Sequence, residues 1–266
     1  MILAVDIGNT NIVISAVDGR KIVSEWRINT DTNKTADEFL AIIRSFFGAA
    51  GYLDTQFEDG IISSVVPLLT GPFINVLKSI LGKKPFVLFT DVYDRLPVTI
   101  PDSAVHEIGT DLLCNAVSAW TKYKCATVVV DFGTALSFTI TDSKGNIQGI
   151  CIAPGIKTAV NSLFANTAQL PSVPLTAPEN TLGKNTIHSI QAGIVLGYKG
   201  LVEGLIKQIK DDLFKECGEN PQNVKIIATG GLNSVLKPIT DVFTEIDKNI
   251  TVNGLIEIYY ILKENQ

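Results

Sequence analysis

Leu3-Ala4-Val5-Asp6-Ile7-Gly8-Asn9-Thr10 returns, 125 residues further on, as Val128-Val129-Val130-Asp131-Phe132-Gly133-Thr134-Ala135. Each copy reads as an apolar strand that runs into an aspartate and a glycine turn. The downstream residues are also alike. After the first copy come an apolar run at Ile12–Val17, the hairpin signal Asp18-Gly19 and a strand over Lys21–Ile28. After the second come strands at Leu136–Thr141 and about Ile147–Ile152, joined through Asp142–Asn146. We therefore expect an internal duplication, an α/β fold of two similar lobes facing one another across a cleft. The boundary is expected near Trp120–Cys125, giving domains over residues 1–122 and 123–266.

The remaining pattern fills in both halves. Thr35-Ala36-Asp37-Glu38 opens a helix as a capping box, and Phe39, Ile42, Ile43 and Phe46 keep helical spacing to about Ala50. Ile61–Val66 reads as a buried strand, Pro67 opens a helix to about Leu81, and Phe86–Phe89 is a short strand. A helix is expected over Gly109–Lys122 and a strand over Ala126–Asp131. A long helical stretch runs from Thr186 to Cys217. The strand Lys225–Ala228 leads into Thr229-Gly230-Gly231, and a closing helix lies near Val252–Lys263.

Composition narrows the class. Apolar residues are 46% and charged residues 18% of the 266, enough to build a large core and too little charge for a disordered chain. The net charge of −5 argues against a general nucleic-acid binder, which needs a basic face. No stretch reaches the ~20 uncharged apolar residues of a membrane helix, and the start Met-Ile-Leu-Ala-Val-Asp lacks the build of a signal peptide. Cys114, Cys125, Cys151 and Cys217 form no C-x-x-C pair, and His106 and His188 lie far apart, so the cysteines read as buried thiols rather than zinc ligands or a disulfide framework. These observations lead us to expect a soluble, cytoplasmic protein without nucleic-acid or membrane partners.

The two acidic turns suit phosphate chemistry. A carboxylate at a strand end can sit beside a metal-bound phosphate, glycine lets the backbone approach closely, and turn amides and hydroxyls donate to phosphate oxygens. One such turn alone reads equally as a hairpin whose aspartate caps local amides; its repetition favours two turns gripping one polyphosphate. Gly230-Gly231 after a strand would let a flat nucleoside lie against backbone. No Walker A motif is present, which disfavours a P-loop kinase.

These three elements, in this order, resemble the nucleotide-binding set of the actin/hexokinase/Hsp70 superfamily, which implies duplicated actin-like (ribonuclease H-like) lobes, each a mixed sheet with helices, around a nucleotide cleft. Trp26-Arg27-Ile28-Asn29-Thr30, Ser63-Ser64-Val65-Val66-Pro67, Ala153-Pro154-Gly155-Ile156 and Gly183-Lys184-Asn185-Thr186 look like type III pantothenate kinase, from Met1 to about Ile256. The resemblance implies a homodimeric enzyme that uses ATP and Mg²⁺ to phosphorylate pantothenate at the start of coenzyme A synthesis. Asp6, Ile7, Gly8, Asn9, Thr10, Asn11, Ile12 and Val13 would lie along the ATP phosphates, with Asp6 a candidate Mg²⁺ ligand. Gly133 and Thr134, and the Gly230-Gly231 turn, would complete the ATP site. Asp131 would hold a monovalent cation, K⁺ or NH₄⁺. Gly109, Thr110, Asp111 and Leu112 match the family's Gly-Ala-Asp-Arg segment, which binds pantothenate, with Asp111 as general base and Thr186 a further pantothenate contact. On spacing alone, Asp111 reads as a first-turn acid favoured by the helix dipole.

Leu112 departs from that segment. Arginine offers a carboxylate two charge-assisted hydrogen bonds, and leucine offers none. Lys157, Lys184 and His106 are candidates to supply the missing charge. The departure keeps open a kinase of the same fold with another acceptor, and a nucleotide-binding regulator of weak activity.

Overall fold

The computed structural model describes residues 1–53, 55–165, 173–231 and 233–264. The chain divides into two compact units, Met1–Ser118 with Ile250–Gln266, and Ala119–Asn249.

The first unit is built on β1 (Ile2–Ile7), β2 (Asn11–Asp18), β3 (Lys21–Asn29), β4 (Asp59–Ser64) and β5 (Phe86–Val87), in the order β3-β2-β1-β4-β5. β1 and β2, and β2 and β3, pair antiparallel, whereas β4 runs parallel to β1 and β5 parallel to β4. The two-residue period sorts the faces. Leu3, Val5 and Ile7 join Ile12, Ile14 and Ile62 in a core with Phe39, Ile43, Phe73 and Leu77. Phe39 and Ile43 come from α1 (Ala36–Ala50), and Phe73 and Leu77 from α2 (Pro67–Leu81). The capping box at Thr35 and Glu38 is formed, and Pro67 opens α2 where no N–H is needed.

The second unit repeats the plan. β6 (Thr127–Phe132), β7 (Ala135–Thr141), β8 (Ile147–Pro154), β9 (Lys225–Thr229) and β10 (Glu245–Ile246) stand in the order β10-β9-β6-β7-β8. β6 pairs antiparallel with β7 and parallel with β9, as β1 does with β2 and β4. Val128, Val130 and Phe132 pack with Leu136, Phe138, Ile140, Val202, Ile206 and Ile209. The duplicated actin-like lobes expected from sequence are thus present as two mixed sheets of identical connectivity.

The helices are α3 (Thr110–Tyr123), α4 (Ile156–Ala165), α5 (Thr186–Gln191), α6 (Gly197–Cys217), α7 (Asn233–Leu236) and α8 (Ile250–Glu264). The expected helical stretch Thr186–Cys217 is continuous but passes through one π turn, Ala192–Leu196, between α5 and α6. α8 lies against β1 and β4, burying Leu255, Ile258 and Tyr259, and so belongs to the first unit. The second unit accordingly spans Ala119–Asn249, whereas the sequence pointed to 123–266. Gly254 sets that packing. A side chain there would overlap the Cys114 carbonyl of α3, so only glycine lets the two helices approach this closely.

Candidate active site

In the first unit the central strand delivers Asp6 one residue before its end. Asp6 faces Val13 on β2 and Ser63 on β4. Beyond it the chain turns at Gly8, whose N–H donates to the Asn11 carbonyl (3.0 Å). Thr30, just past β3, holds the turn from outside. Its hydroxyl donates to the Gly8 carbonyl (2.6 Å) and its N–H to the Thr10 carbonyl (2.9 Å). Asn9 and Thr10 are exposed, whereas Ile7 and Ile12 are fully buried in the core and can offer a ligand only their backbone.

The segment Gly109–Leu112 starts α3. Thr110 is buried, and its hydroxyl meets that of fully buried Ser63 at 2.9 Å. Asp111 comes directly after it, and its Oδ1 accepts the Leu112 N–H (2.8 Å). Its carboxylate folds back over Gly109, where a Cβ would come within 2.5 Å of Oδ1. Burial pushes the Asp111 carboxyl above its ordinary range, against the lowering pull of the Leu112 amide and its own. Burial also drives the Cys114 thiol well up. The Asp6 and Asp111 carboxylates add to that rise, and the Ser63 hydroxyl opposes it. Asp6, Ser63 and Asp111 therefore all bear on one buried thiol. Cys114 reads from sequence as core, and it is; that it lies among these side chains has no local sequence signal.

In the second unit Asp131 occupies the matching place on β6, opposite Ser137 on β7 and Thr229 on β9. Gly133 N–H donates to the Ala135 carbonyl (3.0 Å). The next turn is held at the Thr134 carbonyl, which accepts the Gly155 N–H (2.9 Å) and the Thr158 hydroxyl (2.7 Å). Gly155 is buried against this loop, and a side chain there would overlap the Gly133 carbonyl. Gly230 adopts φ +82°, and a Cβ on it would lie 2.6 Å from Asp131 Oδ1. The structure thus brings Asp131, the Gly133-Thr134 turn and the Gly230-Gly231 turn together. Sequence reasoning missed Thr158 and Thr30 as the hydroxyls that fasten the two turns.

Thr186 opens α5 beside its cap Asn185, whose side chain accepts the His188 N–H (2.9 Å). It lines a largely apolar cavity of about 390 Å³ with Leu163, Ser189, Ile190, Gly193 and Ile194. Gly193 and Ile194 belong to the π turn, a distortion frequent at functional sites. Lys157, Lys184 and His106 are all exposed, and Leu112 is half-buried.

The donor set fits nucleotide chemistry. Among the described residues no three His, Cys, Asp or Glu gather as a metal cage. Single carboxylates beside glycine turns suit Mg²⁺, which keeps waters and takes phosphate oxygens.

This scaffold, with an aspartate and a glycine turn at the same place in each half, defines a protein of the actin-like fold. It is similar to a conserved protein of Campylobacter jejuni assigned to the Baf family of transcriptional activators (TM-score 0.61, 18% identity, 99% of this chain and 98% of that one). It also resembles the ethanolamine utilization protein EutJ of Carboxydothermus hydrogenoformans (TM-score 0.51, 13% identity, 96% and 88%). At these identities the likeness shows the fold alone. Sequence goes further. The type III pantothenate kinase family profile matches residues 2–208. The type III pantothenate kinase of Geotalea uraniireducens is 37% identical over 97% of this chain and 98% of its own length, and that of Treponema pallidum (strain Nichols) 41% identical over 96% and 92%. The chain belongs to the type III pantothenate kinase family.

Proposed function

We infer that the chain transfers the γ-phosphoryl group of ATP to pantothenate, giving 4′-phosphopantothenate for coenzyme A synthesis, with Asp111 as the general base. Family membership across nearly the whole chain carries this reading. The first unit supports it: Ser63 stands opposite Asp6 in the β1–β4 ladder, and its hydroxyl meets that of Thr110, the residue before Asp111.

Phosphoryl transfer depends on positioning and charge neutralisation more than on covalent help. Mg²⁺ supplies charge neutralisation on the ATP phosphates, and Asp6 is the residue to hold it, directly or through water. The backbone and hydroxyls of Gly8–Thr10 and of Gly133–Thr134 bind the phosphates, and Gly230-Gly231 takes the nucleoside. Asp111 accepts the proton of the primary hydroxyl as it attacks. Burial raises its pKa, which strengthens the carboxylate as a base. Gly109 gives this carboxylate room to turn from its local amide toward the acceptor.

Asp131 holds a monovalent cation, K⁺ or NH₄⁺. Thr186 and its cavity contact pantothenate, and the enzyme works as a homodimer in the cytoplasm. No helix among the described residues is long and apolar enough to cross a membrane.

The test is purified protein with ATP, Mg²⁺, K⁺ and pantothenate, scored for 4′-phosphopantothenate by mass. Product supports the reading. ATP turnover only with another hydroxyl compound would transfer the activity to a different acceptor, the alternative that Leu112 keeps open. Nucleotide binding without transfer to any acceptor would make the chain a regulator. Replacing K⁺ by Na⁺ at equal ionic strength should cut the rate, and light scattering should give twice the 28.7 kDa chain mass.

A further inference from the structure

β4 and α3 are separate elements, yet their ends are joined by a pair of buried hydroxyls. Ser63 stands in the parallel ladder directly opposite Asp6. Thr110 is the first residue of α3, immediately before Asp111. Their oxygens are 2.9 Å apart, Ser63 fully buried and Thr110 nearly so. The bridge therefore spans from the strand pair that carries the phosphate turn to the helix turn that carries the base. Deeper along α3, Thr251 of α8 donates to the Asn115 carboxamide oxygen (2.7 Å), which steadies the helix body but not its first turn.

We propose that the Ser63–Thr110 hydroxyl pair is the positioning device that fixes the Asp111 carboxylate relative to Asp6, so that base and phosphate turn are held in one register. The assignment rests on the kinase reading above. A buried hydroxyl without its partner loses a hydrogen bond and keeps its desolvation penalty, so the pair is strongly coupled. The Thr110 hydroxyl is buried against Ser63, and in this assignment Thr110 is a positioning residue. Angular precision at the base matters because a displacement of about 1 Å can cost roughly a hundredfold in rate.

The experiment compares Thr110→Val, Thr110→Ser, Ser63→Ala and the Ser63→Ala/Thr110→Val double variant in steady-state pantothenate phosphorylation. Hydrogen exchange at the first turn of α3 is measured in parallel. Thr110→Val should lower kcat about 10–100-fold with KM for ATP and pantothenate changed less than about threefold, the range expected of misplaced catalytic groups. Thr110→Ser, which keeps the hydroxyl, should recover most of the rate. Ser63→Ala should match Thr110→Val, and the double variant should be no slower than either single one. Exchange at the Leu112 and Leu113 amides should rise in the hydroxyl-deleted variants and not in Thr110→Ser. Raised KM at unchanged kcat would overturn the assignment, as would a multiplicative double variant or an Ser63→Ala enzyme of full rate. Should Thr110→Val fail to fold, Ser63→Ala and Thr110→Ser decide by the same criteria. Absence of product from the unmodified protein would sink the kinase reading, and the exchange pattern would then judge the bridge on its own.

Discussion

The Asp6 turn and the Asp131 turn are the same device built twice, and they differ in three ways. First, the paired residues Ile7 and Ile12 enclose four residues, whereas Phe132 and Leu136 enclose three. Second, Thr30 clamps the first turn from the strand side, at the Gly8 and Thr10 carbonyls, while Gly155 and Thr158 clamp the second from the start of α4. Third, the parallel neighbour of each aspartate leads elsewhere. Ser63 bonds to Thr110 beside Asp111, whereas Thr229 runs into Gly230, whose backbone lies against Asp131. The scaffold was duplicated, but the polar partners were not. In one half the neighbour of the carboxylate bonds onward to the start of α3, and in the other the carboxylate lies against a glycine turn.

Breaking the base should give the largest effect. Asp111→Asn should lower turnover by about 10²–10⁴-fold while leaving ATP binding in place, as initial rates and nucleotide titration would report. The same variant should be at least as stable as the parent at pH 7. Because burial raises the folded-state pKa of Asp111, its contribution to stability is fully present below its unfolded value of about 3.8 and is lost as pH rises through the folded value. Asparagine carries no such loss, so thermal melts between pH 4 and pH 7 should diverge in its favour. Activity has the opposite sign: it should fall as acid protonates Asp111, with a midpoint above the usual carboxylate range. A midpoint at or below that range would remove Asp111 from the base role.

The two glycine turns should respond unequally. Gly230→Ala forces a side chain into a left-handed backbone and against Asp131, at a cost of about 1–2 kcal/mol for the backbone alone. Gly8→Ala meets only the Asn11 carbonyl at 3.1 Å without a positive φ, so its melt should shift less. Equal shifts would mean that the packing of Gly230 on Asp131 is not what holds the second turn. Smallest of all should be the clamps. Thr30→Val and Thr158→Val should each cost about 0.5–1.5 kcal/mol and raise KM for ATP a few-fold. A KM change in only one of them would show that only one turn touches nucleotide.

The repeated strand, aspartate and glycine were legible because a period-two apolar run and a glycine turn are local signals, and so was the sheet connectivity that a duplication implies. Thr35–Glu38 and Pro67 announced their helices for the same reason. What escaped reading was non-local. Ser63 and Thr110 are 47 residues apart, and nothing in either neighbourhood names the other. Thr158 reaches back 24 residues to Thr134, on a helix, α4, that opens after Pro154-Gly155 without a Ser, Thr, Asp or Asn cap signal. α8 was recognisable as a helix, but its partner sheet was not, because amphipathic pattern says which face is buried and not against what. Gly230 read as a flat platform for a nucleoside. Its left-handed backbone under Asp131 adds a second requirement for glycine at the same position.

The proposed function requires each of the two turns, despite their different clamps, to contact ATP. Calorimetric titration of the Mg²⁺ complex of a non-hydrolysable ATP analogue tests it directly, using the unmodified protein, Gly8→Val and Gly230→Val. One nucleotide per chain, weakened by either substitution while thermal melts show both variants folded, is the expected result. Two nucleotides per chain, or binding indifferent to one of the substitutions, would contradict it.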